Sequence, residues 1–322
     1  MVDMLGIQTE ELSYFSTDKT DTVKATLWFN PVSPPKAVLQ ITHGMNEYIG
    51  RYREFAEYLA ENGFAVCGND HLGHGRTAPS DEKLGYFAPR DGHRYLVEDV
   101  HELYLLMRER YPDLPYFLFG HSMGSFITRS YITKYGGELS GYICSGTGGP
   151  NPLGKIAVVL AEAEIRRLGE FGRSTFLSNL AFGGYNKRYT EHRTRYDWLT
   201  RDTEIVDRYE KDRLCNYVFT ASGFRDLFLL LNEISTKAWA KKVPQQLPVH
   251  MISGKEDPVG EYGKGVRKVY DLLREAGVEN LSLKLYDGCR HEVLNELNRK
   301  DTYAELLEWM NARIETAAGR TV

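Results

Sequence analysis

The chain has 322 residues, of which 42% are hydrophobic and 26% are charged, a composition typical of globular proteins. Its formal net charge of −4 is small and basic residues are scattered among acidic ones, so we predict no nucleic-acid partner. The sequence shows no signal-peptide pattern, no apolar run long enough to span a membrane and no C-x-x-C pair among its four cysteines. These features predict a cytoplasmic protein with free thiols.

The first elements in chain order are two strands near the start. Residues 12–18 (LSYFSTD) and 23–30 (VKATLWFN) are typical of an antiparallel pair at the edge of a sheet. Six short apolar runs follow and are predicted to be buried strands: residues 37–42, 64–70, 116–120, 142–146, 249–254 and 281–286.

Segments with helical spacing of apolar residues separate these strands. In one of them Tyr52, Phe55 and Leu59 share a helix face, and Gly63 ends the helix. Alternation of apolar strands and amphipathic helices predicts an α/β fold, with a mostly parallel sheet and helices on both faces.

One region interrupts the alternation. Residues 149–246 contain three helix-like segments and, with 16 Lys and Arg against 12 Asp and Glu, carry a charge of +4, while the remainder carries −8. We predict a helical cap here, inserted in a core formed by residues 1–148 and 247–322. A second independent domain is disfavoured because sheet strands resume after the insertion. The arginines of the cap are expected to form a solvated face.

A serine flanked by glycines follows the predicted strand at residues 116–120. Residues 120–124 read G-H-S-M-G and match the pattern G-x-S-x-G, with a strand before and an amphipathic segment after. In that context the pattern predicts a sharp strand-to-helix turn that raises the Ser122 hydroxyl above the sheet. The alternative is a serine that caps an ordinary helix.

A serine nucleophile needs a base to take its proton and an acid to hold the base. Asp257 comes just after the strand at 249–254, and His291 comes just after the strand at 281–286. The chain order Ser, Asp, His is that of α/β-hydrolases, and all three residues are predicted at the same edge of the sheet.

Two neighbouring carboxylates, Glu256 and Asp287, are alternatives for the acid. We prefer Asp257 because Pro258 follows it and should fix the loop at the end of the strand. Cys289, two residues before the predicted base, is not needed as a nucleophile when a serine occupies the turn.

An acyl-transfer site also needs donors for the developing oxyanion. We predict the backbone N–H groups of Met123, which follows the serine, and of Met45, which follows the His-Gly pair at residues 43–44. Such a site needs no metal ion and no organic cofactor, and we predict none. His71 and His74 resemble part of a metal site, but no third ligand is placed nearby and they lie in a glycine-rich turn.

Five motifs together resemble the monoacylglycerol lipase and lysophospholipase group of serine α/β-hydrolases. They are HGMNEYIGRY (43–52), NDHLGHGRT (69–77), GHSMGS (120–125), GKEDPVG (254–260) and GCRHEVLNE (288–296). The resemblance extends over residues 39–309. It implies Ser122 as nucleophile, Asp257 as acid, His291 as base, and Met45 and Met123 as oxyanion donors.

The chain departs from that group at two positions of the first motif. The group usually reads H-G-x-G-E-H, whereas this chain has Asn46 and Tyr48. We expect the Met45 N–H group to keep its role as an oxyanion donor, and the pocket for the alcohol to differ from that of the group. Glu47 and Arg51 are retained, and their spacing predicts an ion pair at the start of a helix.

The sequence therefore predicts a serine ester hydrolase whose substrate is a small single-chain acyl ester, such as a monoacylglycerol or a lysophospholipid. Leu153, Ile156, Ala157 and Leu160 share one helix face in the cap and, with residues 227–231, are expected to enclose one acyl chain. Transient contact of the cap with a membrane or micelle is expected.

Two other functions fit parts of the pattern. A capped serine peptidase that releases N-terminal residues would need an acidic patch in the cap to bind the substrate amine, whereas the cap is net basic. A non-catalytic receptor could use the same fold to bind a small apolar ligand, but the complete set of triad residues favours an enzyme.

Overall fold

Eight strands form a single sheet in the residues that the computed structural model describes, 6–189 and 193–318. The strands are β1 Gln8–Phe15, β2 Thr22–Phe29, β3 Ala37–Thr42, β4 Phe64–Asp70, β5 Tyr116–His121, β6 Gly141–Ser145, β7 Val249–Gly254 and β8 Leu281–Tyr286. Their order across the sheet is β1-β2-β4-β3-β5-β6-β7-β8. Strands β1 and β2 are antiparallel at one edge, and pairing is parallel from β4 through β8. The predicted α/β fold with an antiparallel edge pair is confirmed.

Ten α-helices occur in the same described ranges. They are α1 Arg53–Glu61, α2 Gly92–Arg110, α3 Met123–Tyr135, α4 Gly154–Leu168, α5 Thr175–Phe182, α6 Thr203–Lys211, α7 Ala221–Glu233, α8 Lys237–Ala240, α9 Lys264–Glu275 and α10 Arg299–Ala318. Helices α4 to α8 lie between β6 and β7 in the chain; we call residues 149–246 the cap, and its boundaries stay a prediction. None of the described helices combines the length and apolar character needed to cross a membrane.

The central strands are buried on both faces. Val38 of β3 and Leu118 of β5 pack in one apolar cluster with residues of α2, α3 and α9, while Leu39 and Phe119 pack in another with residues of α1 and α10. Because successive side chains of a strand point to opposite faces, a strand covered on both sides is apolar at most of its positions. This explains why these strands read as continuous apolar runs.

Parallel pairing brings the carboxyl ends of several strands to one edge of the sheet. Thr42 of β3 pairs with Gly120 of β5, and Gly254 of β7 pairs with Tyr286 of β8. The loops that follow these four strands therefore start side by side. Cap backbone lies against this edge, since the His291 amide donates to the carbonyl oxygen of Trp198.

Candidate active site

Ser122 occupies a strained turn between β5 and α3. Its backbone angles are φ 53° and ψ −121°, a region that residues other than glycine rarely adopt. A Cβ atom on Gly120 would overlap with the hydroxyl of Thr128, and one on Gly124 would overlap with the carbonyl oxygen of Thr42. The two glycines of G-x-S-x-G are thus required by the crowding of backbone and side chain around the serine.

The predicted acid and base contact each other. Nδ1 of His291 lies 3.0 Å from Oδ1 of Asp257. The carboxylate of Asp257 is fully buried and also accepts hydrogen bonds from the Val259 amide at 2.9 Å and the Ser253 hydroxyl at 3.1 Å. Burial alone would raise the pKa of Asp257, but attraction to His291 together with these hydrogen bonds lowers it overall. The carboxylate is therefore ionised and can orient the imidazole ring.

The neighbouring carboxylates do not take this position. Asp287 is 86% exposed and forms an ion pair with Lys255, and Glu256 is exposed. Of the three carboxylates that the sequence offered, Asp257 is the one that contacts His291.

Ser122 and His291 line the same cavity. Gly146, at the end of β6, leaves room for the imidazole, because a Cβ atom there would lie 3.1 Å from Cε1 of His291. Within the described residues no hydrogen bond joins the Ser122 hydroxyl to His291. Hydrogen bonds of this kind often tighten only when substrate is bound.

The two predicted oxyanion donors also face this cavity. Met123 is the first residue of α3, so its amide is one of the unpaired N–H groups at a helix start, and Met45 lies in the loop after β3. Neither amide donates a hydrogen bond to another residue in the part of the chain that the structure describes. An N–H group without a protein acceptor is what the predicted role as oxyanion donor requires.

A buried ion pair lies behind the site. Arg51 binds Glu47 at 2.7 Å, which confirms the predicted pair at the start of a helix. Arg51 also binds both carboxylate oxygens of Glu292 at 2.8 Å, a contact that the sequence did not predict. Glu292 directly follows His291, so this cluster connects the loop after β3 to the loop that carries the base.

Glu47 also contacts two segments next to the predicted catalytic residues. Its Oε1 accepts a hydrogen bond from the Gly44 amide at 2.5 Å and lies 3.2 Å from Nδ1 of His121, the residue before Ser122. Burial opposes ionisation of both side chains, yet their mutual hydrogen bond and charges raise the pKa of His121 and lower that of Glu47. Through this contact Glu47 supports the turn that holds Ser122.

The three histidines of the first two motifs pack together. The ring of His43 lies 4.1 Å from that of His71 and 5.2 Å from that of His74. Burial lowers the pKa of His74 to about 3 and those of the other two below their usual value. In the described ranges no group of three or more His, Cys, Asp or Glu side chains is arranged to hold a metal ion. These three buried, neutral rings pack against one another next to the loop after β3.

A cavity of about 750 Å³ leads from Ser122 into the cap. Its walls include all four residues predicted in the α4 region, Leu153, Ile156, Ala157 and Leu160. From the predicted range 227–231 of α7, only Leu227, Phe228 and Leu231 line it. Leu153 is 60% exposed and Ile156 is 56% exposed. This face of α4 therefore borders the opening of the cavity.

A cap segment at residues 198–201 contacts the loop that carries the base. The Glu292 amide donates to the carbonyl oxygen of Leu199 at 2.7 Å, and Arg201 binds the buried carboxylate of Glu296 at 2.8 Å. Arg225 of the cap is buried as well and donates to the carbonyl oxygen of Pro89. The expectation that cap arginines form a solvated face is wrong for Arg225, which is buried, whereas Arg201 is 35% exposed.

Comparison with known proteins identifies relatives over most of the chain. The family model described as serine aminopeptidase, S33, matches residues 33–298. A monoacylglycerol lipase of Mycolicibacterium smegmatis is 28% identical over 282 residues, 88% of this chain and 90% of that protein. A monoglyceride lipase of Homo sapiens is 28% identical over 296 residues, with 90% and 87% covered. The crystal structure of a thermostable carboxyl esterase from Bacillus coagulans in complex with glycerol is 34% identical and superposes with a TM-score of 0.87, covering 95% of this chain and 99% of that one.

Proposed function

The chain belongs to the serine aminopeptidase S33 family and is similar to monoacylglycerol lipases among the serine α/β-hydrolases, and we propose that it hydrolyses single-chain acyl esters through an acyl-enzyme on Ser122. The observation that carries the proposal is the 3.0 Å contact between His291 and Asp257, together with the position of His291 and Ser122 on the wall of one cavity. That arrangement supplies nucleophile, base and acid for acyl transfer.

In the acylation step Ser122 attacks the carbonyl carbon of the ester while His291 takes the hydroxyl proton. The charge that develops on the carbonyl oxygen is stabilised by the N–H groups of Met45 and Met123. Collapse of the tetrahedral intermediate breaks the ester bond, and His291 gives its proton to the departing alcohol. Asp257 stays ionised throughout and stabilises the imidazolium.

Deacylation repeats these steps with water. His291 removes a proton from a water molecule, which attacks the acyl carbon, and the same two amides bind the oxyanion. His291 then returns the proton to Ser122 Oγ as the acid leaves. No other protein group has to change its protonation state in the cycle.

The acyl chain occupies the apolar part of the cavity. Burial of each CH₂ group contributes about 0.8 kcal/mol, so binding should strengthen with chain length until the cavity is filled. We propose that the cavity walls from α4 and α7 enclose a single acyl chain. Monoacylglycerols, lysophospholipids and similar esters are the substrate class that fits this shape.

Contact with a membrane or micelle is part of the proposal. Val159 of α4 is 64% exposed, and Phe176 and Leu180 of α5 are 51% and 52% exposed. Leu180 also lines the cavity, as do the exposed Leu153 and Ile156, so exposed apolar side chains border the place where a lipid would enter. We also propose a cytoplasmic location, which is supported by four unpaired cysteines in the described chain.

A peptidase that releases N-terminal residues is less well supported, although the family model is named for one. Such an enzyme must bind the substrate ammonium with a carboxylate. Within the described residues the carboxylates lining the cavity are Glu47, Glu261 and Glu292, and each is bound by a basic side chain. None of them is left to bind an ammonium group.

The deciding experiment compares three substrate types with the purified protein: monoacylglycerols of graded chain length, triacylglycerols, and aminoacyl p-nitroanilides. We expect kcat/KM for monoacylglycerols to rise with chain length and then level off, with triacylglycerols cleaved slowly. The matched control is Ser122→Ala, which should be inactive on all three. Cleavage of the nitroanilides without ester hydrolysis would contradict the proposal.

A further inference from the structure

The two positions at which the chain departs from the H-G-x-G-E-H motif both contact the cap. We call residues 43–48 the oxyanion loop. The side-chain amide of Asn46 donates a hydrogen bond to the carbonyl oxygen of Tyr217 at 2.7 Å. The hydroxyl of Tyr48 donates to Oδ2 of Asp212 at 2.9 Å. Two side chains of one short loop thus reach acceptors in a cap segment more than 160 residues away.

Asn46 also determines the course of the loop. Its φ of 56° lies in the left-handed region. Apart from glycine, asparagine is one of the residues that adopt this region most readily. The preceding residue is Met45, whose amide is a proposed oxyanion donor. On the other side of Met45, the Gly44 amide donates to Glu47. Met45 therefore lies between one anchor in the core and one anchor in the cap.

The cap segment that accepts these bonds is itself fixed. Asp212 follows the last residue of α6, and its other carboxylate oxygen accepts the Leu214 amide at 2.9 Å. The carbonyl oxygen of Val218, next to Tyr217, accepts a hydrogen bond from Arg173. The hydroxyl of Thr220 donates to a core carbonyl, that of Gly85, at 2.8 Å. The acceptors are thus held in place independently of the oxyanion loop.

We propose that Asn46 and Tyr48 are positioning residues that hold the Met45 amide at the oxyanion by tying its loop to the cap. The inference rests on the proposed function, because it requires that an oxyanion forms next to Ser122. A donor adds to catalysis only if it is already in position when charge develops, so a looser loop should slow the chemical step. Ground-state binding of the acyl chain, which occurs elsewhere in the cavity, should change little.

The test uses two variants, each of which removes one of these two hydrogen bonds. Asn46→Gly removes the amide while keeping a residue that accepts φ of 56°, and Tyr48→Phe removes the hydroxyl alone. Tyr86→Phe is the matched control, because the Tyr86 hydroxyl also binds a cap carboxylate, Glu170 at 3.2 Å, but Tyr86 does not line the cavity.

Loss of a complete oxyanion donor lowers kcat by about 10²–10³-fold, so a displaced donor should cost a fraction of that. We expect kcat on a monoacylglycerol to fall about tenfold in Asn46→Gly and about threefold in Tyr48→Phe, with KM within about twofold of wild type. Affinity for an alkyl boronic acid, which mimics the tetrahedral intermediate, should fall in parallel with kcat.

Unchanged kcat and boronic-acid affinity in Asn46→Gly would overturn the inference. An equal loss in Tyr86→Phe would overturn it too, because that result would mean that any weakened contact between core and cap slows the enzyme. If the wild-type protein does not hydrolyse esters, both the proposed function and this inference are wrong. If the wild type is active and Asn46→Gly is equally active, only this inference is wrong.

Discussion

The core side and the cap side of the cavity are built differently. On the core side, Ser122, Asp257 and His291 follow the ends of parallel strands, and the register of the sheet brings them together. On the cap side, segments between helices are joined to the core by individual side chains: Arg201 of the cap binds Glu296, and Asn46 of the core binds the carbonyl oxygen of Tyr217. Regular pairing of the strands positions the predicted catalytic residues, whereas long-range contacts of individual side chains shape the cavity for substrate.

The core and the cap also differ in how deeply their apolar residues are buried. Strands β3, β5, β6 and β7 are buried along their whole length, whereas Leu153, Ile156 and Val159 of the cap are more than half exposed. A rigid core next to a cap with an exposed apolar face is what an enzyme needs if its site must stay fixed while a lipid enters. Substitutions on the two sides should therefore have different consequences.

The largest effect is expected on the core side, at Ser122. Ser122→Ala removes the attacking oxygen and leaves only oxyanion and binding contributions, so kcat for ester hydrolysis should fall by about 10⁴-fold or more. Steady-state assays with a monoacylglycerol will measure the loss, and circular dichroism should show an unchanged fold. Substantial activity in this variant would mean that another group performs the attack.

The buried cluster behind the site should dominate stability. Arg51→Leu leaves the buried carboxylates of Glu47 and Glu292 without their cation, which should lower the free energy of unfolding by about 3–5 kcal/mol. Arg53→Leu is the matched control, because Arg53 pairs with Glu57 at the same i, i+4 spacing but is 70% exposed. Urea unfolding should show a change of only about 0.5 kcal/mol there. Equal losses of unfolding free energy in the two variants would contradict the conclusion that the buried ion pairs of Arg51 stabilise the fold.

The stabilising contact of His93 in the core with two carboxylates of the cap should depend on pH. His93 of α2 lies 3.3 Å from both Asp226 and Glu233 of α7. Burial opposes its charge, but hydrogen bonds and attraction from the two carboxylates raise the pKa of His93 to about 9, above the usual 6.5. A raised pKa means that the stabilisation is complete below pH 6.5 and is lost as pH rises through 9.

Between pH 7 and pH 10 the wild-type protein should therefore lose stability on the order of 2 kcal/mol relative to His93→Gln, which lacks the titrating group. Urea unfolding of both proteins at a series of pH values will measure the difference. Parallel stability curves would show that this contact does not titrate as expected.

The smallest effect is expected inside the cap. Leu160→Trp adds bulk to a residue that lines the cavity and should shorten the space for the acyl chain. If two CH₂ groups are displaced, kcat/KM for long-chain monoacylglycerols should fall about tenfold, while short-chain esters, as internal control, remain unaffected. Equal losses for short and long chains would place the acyl chain elsewhere.

Much of the core side could be predicted from sequence because its signals are local. Continuous apolar runs indicated strands covered on both faces, and residues at strand ends indicated Asp257 and His291 as partners. The contacts of the cap could not be predicted in this way. Glu292 and Glu296 follow the base in the chain, but nothing within a few residues of either indicates Arg51 or Arg201 as its partner.

Asn46 illustrates the same limit. Its difference from the motif was visible in the sequence, yet its φ of 56° and its bond to Tyr217 depend on how the cap folds back over the sheet. The exposure of Ile156 has the same origin. A helical face with regular apolar spacing indicates that the face meets something apolar, and only the tertiary structure distinguishes a core from a cavity opening.

The central claim is that the ester is cleaved through an acyl group carried on Ser122. Rapid-quench mass spectrometry with a p-nitrophenyl ester of a medium-chain acid tests this most directly. We predict a burst of p-nitrophenol and a protein heavier by one acyl group, with the added mass on the peptide that contains Ser122 and decay at the rate of turnover. Turnover without any adduct, or an adduct on a different residue, would contradict the claim.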